Sequence, residues 1–209
     1  MTSPPDSSTA TGIQFRRPRA GERTRGSADA LQTKIAIGLQ NLSPATFLEQ
    51  INANVSELPD AAGCDAAFVA LIGDDGRKFE TVIAAATGFA QCNAQVISGE
   101  PTSNWPWLCD RLGHLKVVEV ADTLQGSQMA RAELERLAEL HIGSVLIIGF
   151  SVHDETAGFL ALANEHAVDN WDASLHLLLK LVGASLASGL ERIHDARILE
   201  EMQERNELI

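Results

Sequence analysis

The sequence contains no tyrosine, aromatic residues make up 5% of its 209 positions, and it has three cysteines, Cys64, Cys92 and Cys109. Three cysteines without a Cys-x-x-Cys pair cannot close into a full set of disulfides, which argues against a disulfide scaffold and fits a reducing compartment. They read as small apolar residues of the interior. No apolar run approaches the roughly 20 residues that cross a bilayer. The first residues, MTSPPDSSTATG, have neither a positive start nor an apolar stretch, so they do not read as a secretory signal. The protein is therefore expected in the cytoplasm, with no membrane partner. A Gly-rich phosphate loop, a GxSxG elbow and a Ser/His/Asp set are also missing. The six histidines, His114, His141, His153, His166, His176 and His194, are dispersed without ligand spacing. No catalytic and no metal-binding residue is assigned, and the chain reads as a non-enzyme.

Positive charge is scarce where it would matter. The net charge is −12, from 16 Lys and Arg against 28 Asp and Glu. Five arginines, Arg16, Arg17, Arg19, Arg23 and Arg25, fall in the first 27 residues beside two acids, Asp6 and Glu22, which leaves 11 basic against 26 acidic residues from Ala28 onward. So acidic a body repels a phosphate backbone, whose binding requires neutralisation by Lys and Arg. Nucleic acid is not an expected partner. Residues 1–27, rich in Pro, Gly, Ser and Thr and without apolar periodicity, read as a disordered basic arm.

What remains is one core of ordinary domain size. Leu31, Ile35, Ile37 to Leu39 and Leu42 recur at helical spacing. After Ser43 and Pro44, which suit an N-cap and a first helical position, Phe47, Leu48, Ile51 and Val55 continue the pattern until Pro59 and Gly63. Two β-rich arms flank Asp74-Asp75-Gly76, a strong hairpin signal in which the aspartates are turn residues. GEPTSNWPWLCDRLG predicts a loop entering a short helix that stops at Gly113, LKVVEVADT a strand, and MARAELERLAELHIG a helix ended by Gly143. SVLIIGFSVHDETAGFLALANE predicts a second hairpin. From Trp171 the residues Leu175, Leu178, Leu179, Val182, Leu186, Leu190 and Ile193 mark one long helical stripe, which narrows beyond Ile193 to Leu199, Met202 and Ile209. A seam that thin suits a two-helix coiled coil. Two hairpins, a strand and flanking helices imply an α+β fold, an antiparallel sheet covered by helices.

This order of elements resembles the GAF domain, a sensory module of bacterial signalling proteins, over about Ala30 to His194. LKVVEVADT resembles the GAF strand that ends in an Asp-containing turn. LAELHIGSVLIIGFSVHDETAGFLALANE resembles the family's helix, Gly-Ser turn and final hairpin, and NWDASLHLLLKLVGASLASGLERI resembles its last helix. The resemblance implies a ligand pocket on one face of the sheet, roofed by the irregular central segment. It also implies a last helix that dimerises and runs into an effector such as a diguanylate cyclase, a cyclic-di-GMP phosphodiesterase or a histidine kinase.

On that basis residues 28–193 are the sensory domain and 194–209 a coiled-coil linker to a C-terminal effector. The candidate ligand-binding residues are Trp105, Trp107, Cys109, Asp122 and Met129, and the candidate dimer seam is Leu186, Leu190 and Ile193. The expected partners are a second copy of the chain, the effector and a small-molecule ligand whose identity the sequence leaves open. Cyclic-nucleotide-binding members carry Asn-Lys, Phe and Asp-Glu; here Asn164 precedes Glu165, Trp171 stands at the aromatic position, and Leu175-His176 replace the acidic pair. Bilin-binding members attach the chromophore through a cysteine usually followed by histidine, whereas Asp110 follows Cys109. Two alternatives stand beside the sensor: a structural dimerisation module with no ligand, and an enzyme like the free methionine sulfoxide reductases, using Cys92 and Cys109.

Overall fold

The computed structural model describes residues 34, 44–73, 75–86, 97–114 and 117–207. The basic arm, most of the first predicted helix, Asp74 and Cys92 lie outside the described residues. Helix α1 (Phe47–Ala62) leads into β1 (Ala66–Ile72) and β2 (Phe79–Ala86). A 3-10 turn (Thr102–Asn104), α2 (Pro106–Gly113), β3 (Val118–Val120), a second 3-10 turn (Thr123–Gln125) and α3 (Arg131–Glu139) follow. The hairpin β4 (Ser144–Val152) and β5 (Glu155–Asn164) precedes α4 (Ala173–Glu207). The strands form one antiparallel sheet in the order β2-β1-β5-β4-β3, the α+β architecture expected from the sequence.

The strand pattern divides the core in two. Ala67 and Val69 of β1, Leu160 and Leu162 of β5, and Leu146, Ile148 and Phe150 of β4 face α1 and α4. Their neighbours Phe68, Phe159, Ala161, Val145 and Ile147 belong to a second cluster under α2 and α3. Successive side chains of a strand point to opposite faces, so strands covered on both sides read as unbroken apolar runs. That is the reason AAFVALI and SVLIIGF show no polar alternation.

Both predicted hairpins form. Ile72 pairs with Phe79 across the first, where Asp75 Oδ1 accepts from Arg77 N at 3.0 Å and Gly76 takes a φ of 67°. In the second, Val152 pairs with Glu155, leaving His153 and Asp154 as a two-residue loop with φ of 50° and 65°. Positive φ at both positions is what the right-handed twist of two joined strands requires.

Three boundaries differ from the sequence expectation. Helix α1 starts at Phe47, after a turn over Pro44 to Thr46, and passes through Pro59 to Ala62 before Gly63 closes it in a left-handed cap whose N–H bonds to Pro59 O. Proline interrupts only the bond its missing N–H would make, and here one turn remains beyond it. Helix α3 stops at Glu139, and His141, not Gly143, takes the positive φ of 60°. The LKVVEVADT strand shortens to three residues because Asp122 turns the chain, accepting from Leu124 N at 2.8 Å.

Helix α4 starts where Asp172 Oδ1 accepts from Ser174 N at 2.7 Å. Its 35 residues span about 52 Å at 1.5 Å per residue. By length and composition alone its stretch Ala173–Gln203 would pass for a membrane span, which the absence of a long uncharged run in the sequence did not lead us to expect. The apolar positions that produce this, Leu178, Leu179, Val182 and Leu186, are buried against the sheet of their own chain. Leu186 is 3% exposed in the single chain. It therefore drops out of the expected dimer seam, because the spacing that marks a seam also marks a core face. Leu190 and Ile193 are partly buried against the same core. Beyond them the domain boundary expected at 193/194 falls inside the unbroken helix. Ile198 is 36%, Leu199 60% and Met202 58% exposed.

Gly158 marks the tightest point of the sheet. A Cβ there would stand 2.1 Å from Ala70 O and 2.9 Å from Phe150 Cζ. Gly158→Ala is expected to destabilise the domain by about 1–3 kcal/mol, the usual cost of overpacking. Gly113→Ala, with no atom within 4 Å of the added carbon, is expected to leave stability unchanged or slightly raised. Chemical denaturation midpoints of the two variants check the contrast.

Candidate functional site

The face of the sheet away from α1 and α4 carries a cavity whose described lining is wholly apolar. Phe68 of β1, Phe79 and Val82 of β2, Phe159 and Ala161 of β5, and Val145 and Ile147 of β4 form its floor. Trp105 and Leu108 from the start of α2, Leu137 and Leu140 at the end of α3, and Ile97 and Ile142 close it. The enclosed space is about 30 Å³. Phe79 and Phe159 meet edge to face at a centroid distance of 5.6 Å, a geometry worth about 0.5–1.5 kcal/mol beyond burial.

Trp105 is fixed from outside the cavity. It is 2% exposed. Its Nε1 donates to Glu100 Oε2 at 2.7 Å, the Arg136 guanidinium lies 4.9 Å from its ring centre, and Arg136 Nη2 reaches Glu100 Oε1 at 2.5 Å. The indole thus spends its one donor on a carboxylate and presents only carbon to the interior. Beside it, Glu133 of α3 ends at the start of α2, where Oε1 accepts from Trp107 N at 2.6 Å and Oε2 from Leu108 N at 2.9 Å. Helix α2 opens with Pro106 and no side-chain cap from Trp105, so the first free N–H groups of the helix find their acceptor on a neighbouring helix. Burial pushes the Glu133 carboxyl above its ordinary range, against the opposing pull of the two N–H donors and Arg136.

The five candidate ligand residues divide among different depressions. Trp105 lines the apolar cavity. Trp107 and Asp122 share a groove of about 610 Å³ with Glu119, Gln125 and Asp169. There Asp122 is engaged as a cap, its second oxygen accepting from Gln125 Nε2 at 2.8 Å, and Arg111 covers the Trp107 ring at 5.9 Å. Cys109 lies in a third depression of about 490 Å³ with Asp75, Thr102 and Glu155. Burial, assisted by Glu133, pushes its thiol up to about 11, and Cys64 is pushed up to about 12 by burial and Asp65. Met129 is 89% exposed and lines none of these three depressions. The phenylalanines of the floor and the Glu100, Arg136 and Glu133 ties were not singled out from the sequence. The floor had a signal in the doubly buried strands; the ties of Glu133 to α2 and of Arg136 to Glu100 join residues 25 to 36 positions apart and had none.

Because the Glu133 carboxyl is raised in the folded state, its contribution to stability is full below the ordinary carboxylate value and is lost as pH rises through the raised one. The stability of the wild type minus that of Glu133→Gln is therefore expected to fall with rising pH across that window and then level off. Glu133→Ala, which leaves the α2 N–H groups without an acceptor, is expected to be about 1–3 kcal/mol less stable than Glu133→Gln at every pH. Denaturant titrations from pH 4 to 8, a range chosen on the order of the carboxylate window, read both effects.

No protein-family model and no curated protein matches the sequence. Solved structures do. The phycoerythrobilin-bound GAF domain from a cyanobacterial phytochrome is similar at a TM-score of 0.66 and 13% identity, over 83% of this chain and all of that one, 100%. The phycocyanobilin-bound GAF domain from a cyanobacterial phytochrome gives 0.63 and 15%, over 80% and 95%. The blue-light absorbing form of the Thermosynechococcus elongatus PixJ GAF domain gives 0.58 and 15%, over 78% and 98%. At such identities the likeness speaks for architecture, and the architecture of this chain is the GAF fold.

Proposed function

We propose that the chain is a non-catalytic sensory domain that binds a small ligand in the cavity beneath α2 and α3, dimerises along the distal half of α4, and signals through that helix to an effector, of the kind that turns over cyclic-di-GMP or a histidine kinase. The observation that carries this reading is the division of α4. Its first half is packed on the sheet as far as Leu186 and Ile193, while Ile198, Leu199 and Met202 project with their apolar side chains in solvent. A narrow exposed stripe on a long helix is marginal alone and gains stability from a partner helix. The solved GAF domains it resembles were determined with bilins bound, which supports a ligand-binding role for the fold without fixing the ligand here.

The cavity and the helix sit on opposite faces of the same strands. Ile147 lines the cavity, whereas Ile148 and Phe150, one and three residues on, pack in the core with α4, where Gly183 lies against them. A ligand that spreads the floor alters the seat of the helix. Its effect is limited to its difference in affinity for the two arrangements, about 1–3 kcal/mol in coupled sites. The small size of the cavity, about 30 Å³, favours as second reading a structural dimerisation module whose pocket has closed. The reductase alternative loses support at Cys109, whose thiol, pushed up to about 11, carries almost no thiolate at neutral pH; Cys92 lies outside the described residues.

Light scattering is expected to give a dimer for the wild type. The double variant Leu199→Glu, Met202→Glu is expected to weaken it roughly tenfold or more, ~1.4 kcal/mol, with the thermal unfolding of the domain unchanged. A monomeric wild type, or a dimer indifferent to both charges, would overturn the proposal.

A further inference from the structure

We infer that the cavity is a site for one small, uncharged, apolar molecule, in the size range of a dissolved gas or a short hydrocarbon, and not for a nucleotide, an amino acid or a tetrapyrrole. The inference rests on the sensory reading only in assigning the cavity a ligand; the class of ligand follows from the walls.

Among the described residues, every one that lines the space is apolar. Strands β1, β4 and β5 of the floor spend their backbone groups on the sheet ladder, Phe79 on the edge strand β2 exchanges its backbone bonds with Glu100 and Gly99, and the Trp105 N–H is spent on Glu100. A bound water wants two to four polar partners, and no lining side chain offers one. A space of about 30 Å³ is large enough for water, which needs about 10–15 Å³, yet a cavity of such character stays dry and takes apolar guests instead. For a polar guest the same walls are costly. Each hydroxyl or amide buried without a partner forfeits about 1–3 kcal/mol, and a carboxylate or phosphate more. An apolar guest forfeits no hydrogen bond on entry and gains dispersion contacts with the Phe68, Phe79 and Phe159 rings.

Entry and size have a structural basis too. Val82, Ile97 and Leu140 are the wall residues that remain partly exposed, so the cavity opens on their side, away from the clamped Trp105. A further void of about 10 Å³ shares Trp105, Leu108 and Leu137 with the main one.

Xenon is the probe for the class, and benzene for its upper size. In xenon-equilibrated solution the wild-type chain is expected to show saturable methyl shifts in NMR confined to the residues that line the cavity, Val82, Leu137, Val145 and Ile147 among them. Ala161→Val, which fills the floor, should weaken xenon binding at least tenfold. Leu137→Ala, which enlarges the space, should gain a benzene-dependent rise in thermal midpoint. Benzene stabilisation of the wild type as well would place the guest among hydrocarbons; its absence there, with xenon bound, would place it among dissolved gases. Xenon shifts that do not saturate, that lie elsewhere, or that persist undiminished in a folded Ala161→Val overturn the assignment. Stabilisation by biliverdin or cyclic GMP in place of xenon overturns the apolar class and leaves the sensory reading standing. Xenon bound in the cavity with no change in dimer affinity leaves the class standing and removes the coupling on which the sensory reading depends.

Discussion

Because β1, β4 and β5 carry apolar side chains on both faces, the sheet has to be covered twice, and the two covers are built by different means. On one side long helices do the work. Helix α1 and the first half of α4 bring Ile51, Val55, Leu58, Leu178, Leu179 and Val182, each at most 5% exposed, onto the strands. On the other side the cover consists of α2 and α3, eight and nine residues long, with 3-10 turns between. Helices this short have little stability of their own. They are joined by polar ties at their ends, with Glu133 of α3 accepting from the first N–H groups of α2, and Glu100 held by both Trp105 and Arg136. The apolar contact area keeps these helices on the sheet; the ties fix where they sit on it.

This asymmetry explains which parts of the molecule could be read from the sequence. The hairpin around Asp75-Gly76, the His153-Asp154 turn and the long terminal stripe are local patterns, and all three appear in the structure. Helix boundaries at Pro59 and Gly143 were misplaced because a proline near a helix end and a glycine after one are compatible with more than one stopping point. The floor of the cavity was visible as apolar runs but not as a cavity, since a strand buried on two faces gives no sign of which face is incompletely filled. The tryptophan pair was singled out because the family resemblance makes the central segment the roof of the pocket. Only Trp105 reaches the apolar cavity proper, while Trp107, two residues on at the start of a helix, turns into the polar groove with Asp122. The stripe along α4 shows the same limit: Leu186 meets its own sheet, while Leu199, on roughly the opposite side of the same helix, meets solvent.

The two covers also differ in what they permit. A long helix on a sheet moves as a rigid body, and any change in its seat is carried along its full length of about 52 Å. The cavity lies under the two short helices, whose positions are set by the ties through Glu133 and Glu100. Between them, β4 places Ile147 in the cavity wall and Ile148 under α4. Close-packed interiors transmit strain, and a displacement of one has to be taken up by the other. At the far end the hairpin that joins β4 to β5 touches α4 again, with His153 and His194 rings 5.1 Å apart and His153 Nε2 3.4 Å from Asp195 Oδ1. The helix is therefore in contact with one hairpin at two places, in its middle by apolar packing and at the point of departure by a polar contact. A tilt of the hairpin relative to the remaining strands would change the direction in which the exposed half of α4 leaves the domain.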